Sequence, residues 1–184
     1  MRETNFNFQP ETLENDLIKI TPLTAIDFER LFKVASDPLI WEQHPERDRY
    51  KREVFQLFFD SAVKSKSAFL VFEKSTNQLI GCTRYLNYDS VNSKIEIGYT
   101  FLAKEYWGGR YNKAMKKLLM SYAFQNVESV VFQIGSTNIL AQKAILKIGA
   151  SKINEIDFDL NGKKLIVYEF EVKKEEWKNR EKFY

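Results

Sequence analysis

Between Ile95 and Phe124 the chain reads IEIGYTFLAKEYWGGRYNKAMKKLLMSYAF, and this stretch carries the residue types most able to do chemistry. Trp107-Gly108-Gly109-Arg110-Tyr111-Asn112 pairs two glycines, whose backbone N–H groups can approach a ligand closely, with an arginine able to grip a phosphate. Lys113, Lys116 and Lys117 come next, either as further phosphate contacts or as an ordinary solvated helix face. A helix opened by this loop, with Asn112 as its cap, would present unpaired N–H donors to an anion. Just upstream, Glu96 alternates away from Ile95 and Ile97, so its carboxylate is either a general base or a solvated, salt-bridged group. His44, the only histidine, stands in WEQHPERDRY with Trp41 and Glu42, where it could meet an acceptor or make a single loop hydrogen bond.

The elements that must position these groups are set by periodicity. Ile95, Ile97, Tyr99 and Phe101 alternate with Glu96, Gly98, Thr100 and Leu102 as a strand does. Met115, Leu118, Leu119, Tyr122 and Ala123 then fall at the spacing of one helix face. Leu17, Ile18 and Ile20 predict a first strand after a polar, aperiodic segment over 1–15. Thr24 and Asp27 cap a helix burying Phe28, Leu31, Phe32 and Ala35 before Asp37-Pro38 ends it. A loop over 39–48 precedes a second helix, about 50–64, with Val54, Leu57, Phe58 and Ala62 inward. The runs over 68–73 and 79–88 form a hairpin, 129–134 a buried strand, and 139–148 a helix burying Ala141, Ala144, Ile145 and Ile148 before the stop at Gly149. Asn161-Gly162 turns a last hairpin over 152–158 and 165–172, and the charged tail forms a short helix. The order βαα βββ α β α ββ makes the strands flanking the long helix a parallel pair in an otherwise antiparallel sheet.

Composition narrows the function classes. The 184 residues fit a single domain over 1–184, able to bury a core without staples. Lone Cys82 and a start, MRETNFNFQPET, without the apolar core of a signal peptide predict a reducing, cytoplasmic setting. A net charge of +3 from 28 basic and 25 acidic residues speaks against nucleic acid, no apolar run is long enough for a membrane span, and one His with one Cys makes no metal pattern.

Taken together, EIGYTFLAKEYWGGRYNKAMKKLLMSYAF and VFQIGSTNILAQKAILKIGA resemble the two cofactor motifs of the GNAT superfamily of N-acetyltransferases, and within it the branch of ribosomal-protein N-terminal acetyltransferases. The resemblance implies an α+β fold: a mixed, mostly antiparallel sheet of about seven strands, a parallel pair that splays to hold CoA, and about four flanking helices. It implies acetyl-CoA as cosubstrate, no metal, and direct transfer in a ternary complex to a small-molecule amine or a protein α-amino terminus. The family motif Q/R-x-x-G-x-G/A, which wraps the pyrophosphate, lands on Trp107 to Asn112, with Trp107, Arg110 and Asn112 in place of its first residue, middle glycine and last small residue. Glu96 matches the strand glutamate that acts as base directly or through water, Phe101 and Leu102 the segment whose N–H groups meet the thioester carbonyl, and Asn138 the asparagine on the pantetheine arm. The loop of Trp41, Glu42 and His44 corresponds to the acceptor side. Ile145 stands where the family often has a tyrosine acid and Ala141 where some relatives have serine, so Tyr99, Tyr111 and Ser136 are left as proton donors by proximity. Those two departures motivate the alternative of a non-catalytic acyl-CoA-binding module; the final hairpin and tail leave a homodimer open.

Overall fold

A computed structural model describes residues 6–160 and 162–181. Its strands are β1 (Leu13–Glu14), β2 (Ile18–Pro22), β3 (Ala68–Glu73), β4 (Leu79–Asp89), β5 (Lys94–Leu102), β6 (Ser129–Gly135), β7 (Ser151–Leu160) and β8 (Lys163–Lys173). Its helices are α1 (Phe28–Ala35), α2 (Arg52–Ser65), α3 (Arg110–Ala123), α4 (Ile139–Lys147) and α5 (Lys174–Glu181). One sheet takes the order β1-β2-β3-β4-β5-β6-β8-β7, antiparallel throughout except for β5 and β6. The α+β architecture is the expected one; the two-residue β1 and the tail helix raise the counts to eight strands and five helices among the described residues. Asn161 of the last turn lies outside the described residues, as do residues 182–184 of the tail.

Two apolar clusters flank the sheet. One gathers Ile95, Ile97, Leu102, Met115, Leu119, Phe132 and Ile145 beneath α3 and α4; the other gathers Leu31, Trp41, Phe55, Phe58, Phe59 and Phe101 beneath α1 and α2. Aromatic edges and faces dominate the second, where Phe55 meets Phe28 and Phe58, and Phe58 meets Phe101. The Asp27 carboxylate closes the start of the first helix by accepting from the Thr24 N–H at 2.7 Å and its hydroxyl at 2.9 Å.

Several sequence expectations are corrected. Helix α2 is rotated by one position, burying Phe55, Phe58, Phe59 and Ala62 at i, i+3, i+4, i+7 and leaving Leu57 73% exposed. Short 3-10 turns at Pro38–Trp41 and Arg47–Tyr50 shape the segment expected as a plain loop. The aperiodic start contributes β1 and sends Phe6 into the core against Tyr85. Helix α3 starts at Arg110 with Gly109 as its N-cap, so Asn112 sits inside the first turn and does not cap. On α3 it is Lys116 and Met120 that are buried, whereas Leu118 and Tyr122 are only partly covered.

Strand β5 departs most from simple alternation. Its pairing with β4 shifts between Arg84↔Gly98 and Cys82↔Phe101, leaving Tyr99 and Thr100 opposite the single residue Thr83. Tyr99 takes φ +48, a left-handed conformation costly for a tyrosine. The extra residue flips the parity of the remaining strand, so Phe101 joins the cluster on the Glu96 side and Leu102 the cluster of Ile95 and Ile97.

Candidate active site

Strands β5 and β6 pair over only three positions, Lys94↔Ser129, Ile95↔Val130 and Glu96↔Val131. Beyond Glu96 each strand turns to its other neighbour: β5 stays with β4 as far as Leu102, and β6 with β8 as far as Gly135. A gap therefore opens whose two facing edges carry main-chain groups without a ladder partner, able to accept an extended, amide-bearing chain. Ala103 N–H donates to Ile80 C=O at 2.7 Å; strand alternation then sends the Phe101 main-chain groups toward β4 and the Leu102 N–H toward the gap. The Phe101 carbonyl presses so close to β4 that a Cβ on Gly81 would lie 2.1 Å from it, which requires glycine there.

At the far end of β5 the glycine loop has the features of an anion site. Gly108 and Gly109 adopt φ +93 and +133, and a Cβ on either would meet nothing within 4 Å, so conformation and not crowding demands glycine. The first α3 hydrogen bond runs from Lys113 N–H to Gly109 C=O at 3.0 Å, which leaves the N–H groups of Arg110, Tyr111 and Asn112 without intrahelical acceptors. An open cleft of about 580 Å³ lies here, lined by Glu105, Tyr106, Trp107, Gly108, Arg110 and Tyr111. Trp107 fixes the loop to the strand, its indole N–H donating to Leu102 C=O at 2.8 Å while the residue stays 41% exposed. Arg110 lies across Tyr111, donating to its hydroxyl at 3.0 Å, and Tyr111 in turn donates to Glu73. Asn112 Oδ1 is buried without a partner, and Asn112 is not among the residues lining the cleft. These features fit the diphosphate end of a nucleotide thioester such as CoA. Asn138 caps α4, its Oδ1 accepting from Ala141 N–H at 3.1 Å, which leaves its NH₂ as a donor.

Glu96 is buried at the mouth of the gap and not solvated. Its Oε2 accepts from Asn87 Nδ2 at 2.8 Å. Burial pushes the carboxyl above its usual range; the Asn87 hydrogen bond pulls it partly back, Glu169 raises it and Lys116 opposes. Gly98, next on the same face, carries no side chain, and a Cβ there would come within 3.2 Å of Glu96 Oε1. Lys116 departs most from the expectation of a solvated face. It is 4% exposed, its Nζ donates to Thr100 Oγ1 at 3.0 Å and stands 4.9 Å from the Phe132 ring centroid. Burial pushes it down to about 7, against the pull of Glu96. The pattern of α3 offers one clue, since Lys116 directly follows Met115 on the inward side.

The segment expected on the acceptor side crosses above this face. Trp41 is buried, its indole N–H donating to Ala35 C=O at 2.8 Å, so it belongs to the core; Glu42 is exposed. Pro45 packs against Gly135 of β6, and Gln43 Oε1 accepts from Leu140 N–H at 3.4 Å. His44 Nδ1 accepts from Glu46 N–H at 3.0 Å, and burial together with Arg49 pushes the ring down to about 3, leaving it neutral and weakly basic. Two buried arginines nearby carry no signal in the local residue pattern. Arg49, paired with Glu46, lies over Trp41, Phe58 and Tyr99. Arg84, which pairs across from Gly98, stacks 4.3 Å from the Tyr99 centroid, donates to Ser61 Oγ at 3.1 Å, and keeps its Nε without a partner. Among the described residues no three His, Cys, Asp or Glu side chains gather as a metal site, and no helix is long and apolar enough to cross a membrane.

A family model described as an acetyltransferase (GNAT) domain matches residues 18–151. No curated protein matches the chain. Among solved structures, a GCN5-related N-acetyltransferase from Brucella melitensis superposes with a TM-score of 0.81 at 21% identity, over 95% of this chain and 85% of that one. Spermidine N-acetyltransferase from Vibrio cholerae, in complex with CoA and spermine, gives 0.70 at 15% identity, over 90% and 100%. A Vibrio cholerae protein provisionally described as a ribosomal-protein-serine acetyltransferase gives 0.70 at 17%, over 88% and 97%. At these identities the likeness is one of fold.

Proposed function

Because the chain belongs to the GNAT acetyltransferase family, in which an acetyl group passes from CoA to an amine, we propose that it is a single-domain N-acetyltransferase whose transfer occurs directly within a ternary complex. The observation that carries this reading is the gap between β5 and β6, open beyond Glu96 and Val131, with the uncapped start of α3 at its mouth. The N–H groups of Gly108 through Asn112 and the Arg110 guanidinium hold the diphosphate, with Lys113 on the next turn. The Asn138 amide and the free edges of the gap, the Leu102 N–H among them, hold the pantetheine arm.

Glu96 accepts the proton of the incoming amine, directly or through one water; its raised affinity for a proton suits that role. The acceptor enters over Gly98, between Glu96 and Tyr99. The wall it meets carries Arg49 and Arg84, with Glu46 paired to Arg49. Arg84, which engages a hydroxyl and an aromatic ring and not a carboxylate, favours an amine bearing a carboxylate; a protein α-amino terminus, with its pKa near 8, asks least of the base. Calorimetry with acetyl-CoA, followed by thiol release across a panel of primary amines, tests the proposal. Micromolar-range binding with amine-dependent thiol release is expected; absence of binding overturns it. Binding without release by any amine returns the non-catalytic module, which buried Ile145 at the usual acid position favours.

A further inference from the structure

Lys116 is buried with a hydroxyl, and not a carboxylate, as its hydrogen-bond partner, a costly arrangement for an ammonium, and it is held where β5 and β6 have parted. It reaches from the inward face of α3 to Thr100 on β5 and lies against Phe132 on β6, so its amine sits in the gap itself. Thr100 is a bulge residue and is already engaged by Thr83 Oγ1 at 2.9 Å. Its hydroxyl therefore has another partner and does not need the lysine.

Position along β5 assigns the amine a task. From the glycine loop inward, the order is Trp107, Thr100 with Lys116, then Glu96. A thioester whose diphosphate rests on the loop meets these groups in the same order as its own atoms: arm, sulfur, carbonyl carbon, then the attacking amine near Glu96. Lys116 thus falls on the sulfur side of the reacting carbon and Glu96 on the nitrogen side.

We propose that Lys116 is the acid of the transfer, delivering its ammonium proton to the departing sulfur. As the C–N bond forms, the amine proton passes to Glu96; as the C–S bond breaks, the sulfur keeps the electron pair and takes a proton from Lys116. Amide and free thiol result, and one proton returning from Glu96 to Lys116 resets the site with no net change. The charge of opposite sign that acts on Lys116 is Glu96 on β5, with Glu169 on β8 acting on Glu96 in turn. Held to about 7 by burial, the amine exchanges its proton near neutral pH, where an ordinary lysine would keep it. This accounts for a site with Ile145 and Ala141 at the positions where the family resemblance leads one to expect hydroxyl groups.

The inference rests on the coenzyme reading, and the test separates the two. Acetyl-CoA affinity is measured by calorimetry, and kcat against pH by thiol release, on the wild-type chain and on Lys116→Met. The wild type should lose turnover as pH rises through about 7, where the ammonium gives up its proton, and the variant should turn over about a hundredfold more slowly with no such alkaline limb, its acetyl-CoA affinity kept within a few-fold. In the wild type, NMR of the Lys116 amine should show it titrating at the pH of that limb, a readout that needs no variant. An alkaline limb kept by Lys116→Met, a wild-type limb that does not coincide with the Lys116 titration, or binding without thiol release by any amine overturns the role of Lys116 and leaves the coenzyme site standing. Failure of acetyl-CoA to bind overturns the coenzyme reading and this inference with it.

Discussion

The side-chain amide of Asn87, on a residue held at φ +49, donates to Glu96 Oε2 at 2.8 Å and so ties a second irregularity of the ladder, on β4 between Leu86 and Asp89, to the carboxylate at the mouth of the strand gap. That bond stabilises the charged form, opposing burial. Replacing Asn87 by glycine keeps the backbone conformation and removes the donor, so the Glu96 carboxyl should hold its proton to higher pH. The acidic limb of kcat against pH is expected to move upward; an unmoved limb would detach Asn87 from the chemistry.

Glu96→Gln preserves shape and the contact with Asn87 but cannot accept a proton. Turnover should fall on the order of 10²–10⁴-fold while acetyl-CoA affinity stays within a few-fold. Steady-state kinetics with calorimetry decides this, and a loss confined to binding would remove Glu96 from the mechanism.

Gly109→Val forces a branched side chain into φ +133 at a place with free space around it, so the effect is conformational. We expect a cost on the order of 1–3 kcal/mol, read as a lower melting temperature and weaker acetyl-CoA binding, with kcat at saturation largely kept. Unchanged affinity would move the diphosphate elsewhere.

Lys116→Met should stabilise the fold at pH 6 by about 1–3 kcal/mol, with the gain shrinking toward pH 9. Linkage sets the sign. Lys116 is depressed to about 7 from 10.5, so between those values the unfolded chain binds more protons and wild-type stability rises with pH. The variant lacks that rise, and thermal melts across the range would expose a gain that instead grows.

Arg84 predicts acceptor preference. An amine carrying a carboxylate should exceed its decarboxylated counterpart in kcat/KM by about tenfold, and Arg84→Met should erase most of that ratio. A polyamine turned over faster than either would reverse the proposed sign of the acceptor wall.

The order of elements, the parallel pair made by α3, and the glycine loop are legible in the sequence, because these rest on periods and on glycine, which local sterics dictate. Hidden features depend on one-residue events. The bulge at Tyr99 reverses the side taken by Phe101 and leaves no mark on hydrophobic alternation. Leu57 and Phe55 are both apolar, so only tertiary packing decides which face α2 buries. Lys116 reads as surface because charge usually means solvent; its burial comes from the parting of β5 and β6, a relation between residues far apart in sequence, Glu96 and Val131. Arg49 and Arg84 escape the residue pattern for the same reason.

Strand β7 closes the sheet with a long margin that no other strand covers among the described residues. Along it stand Lys152, Glu155, Asp157 and Asp159, so a second molecule docking flush against that margin would bring like-charged carboxylates together without water to separate them. Such a margin resists edge-to-edge growth into stacked ribbons, a matter of solubility chemistry remote from any catalytic duty.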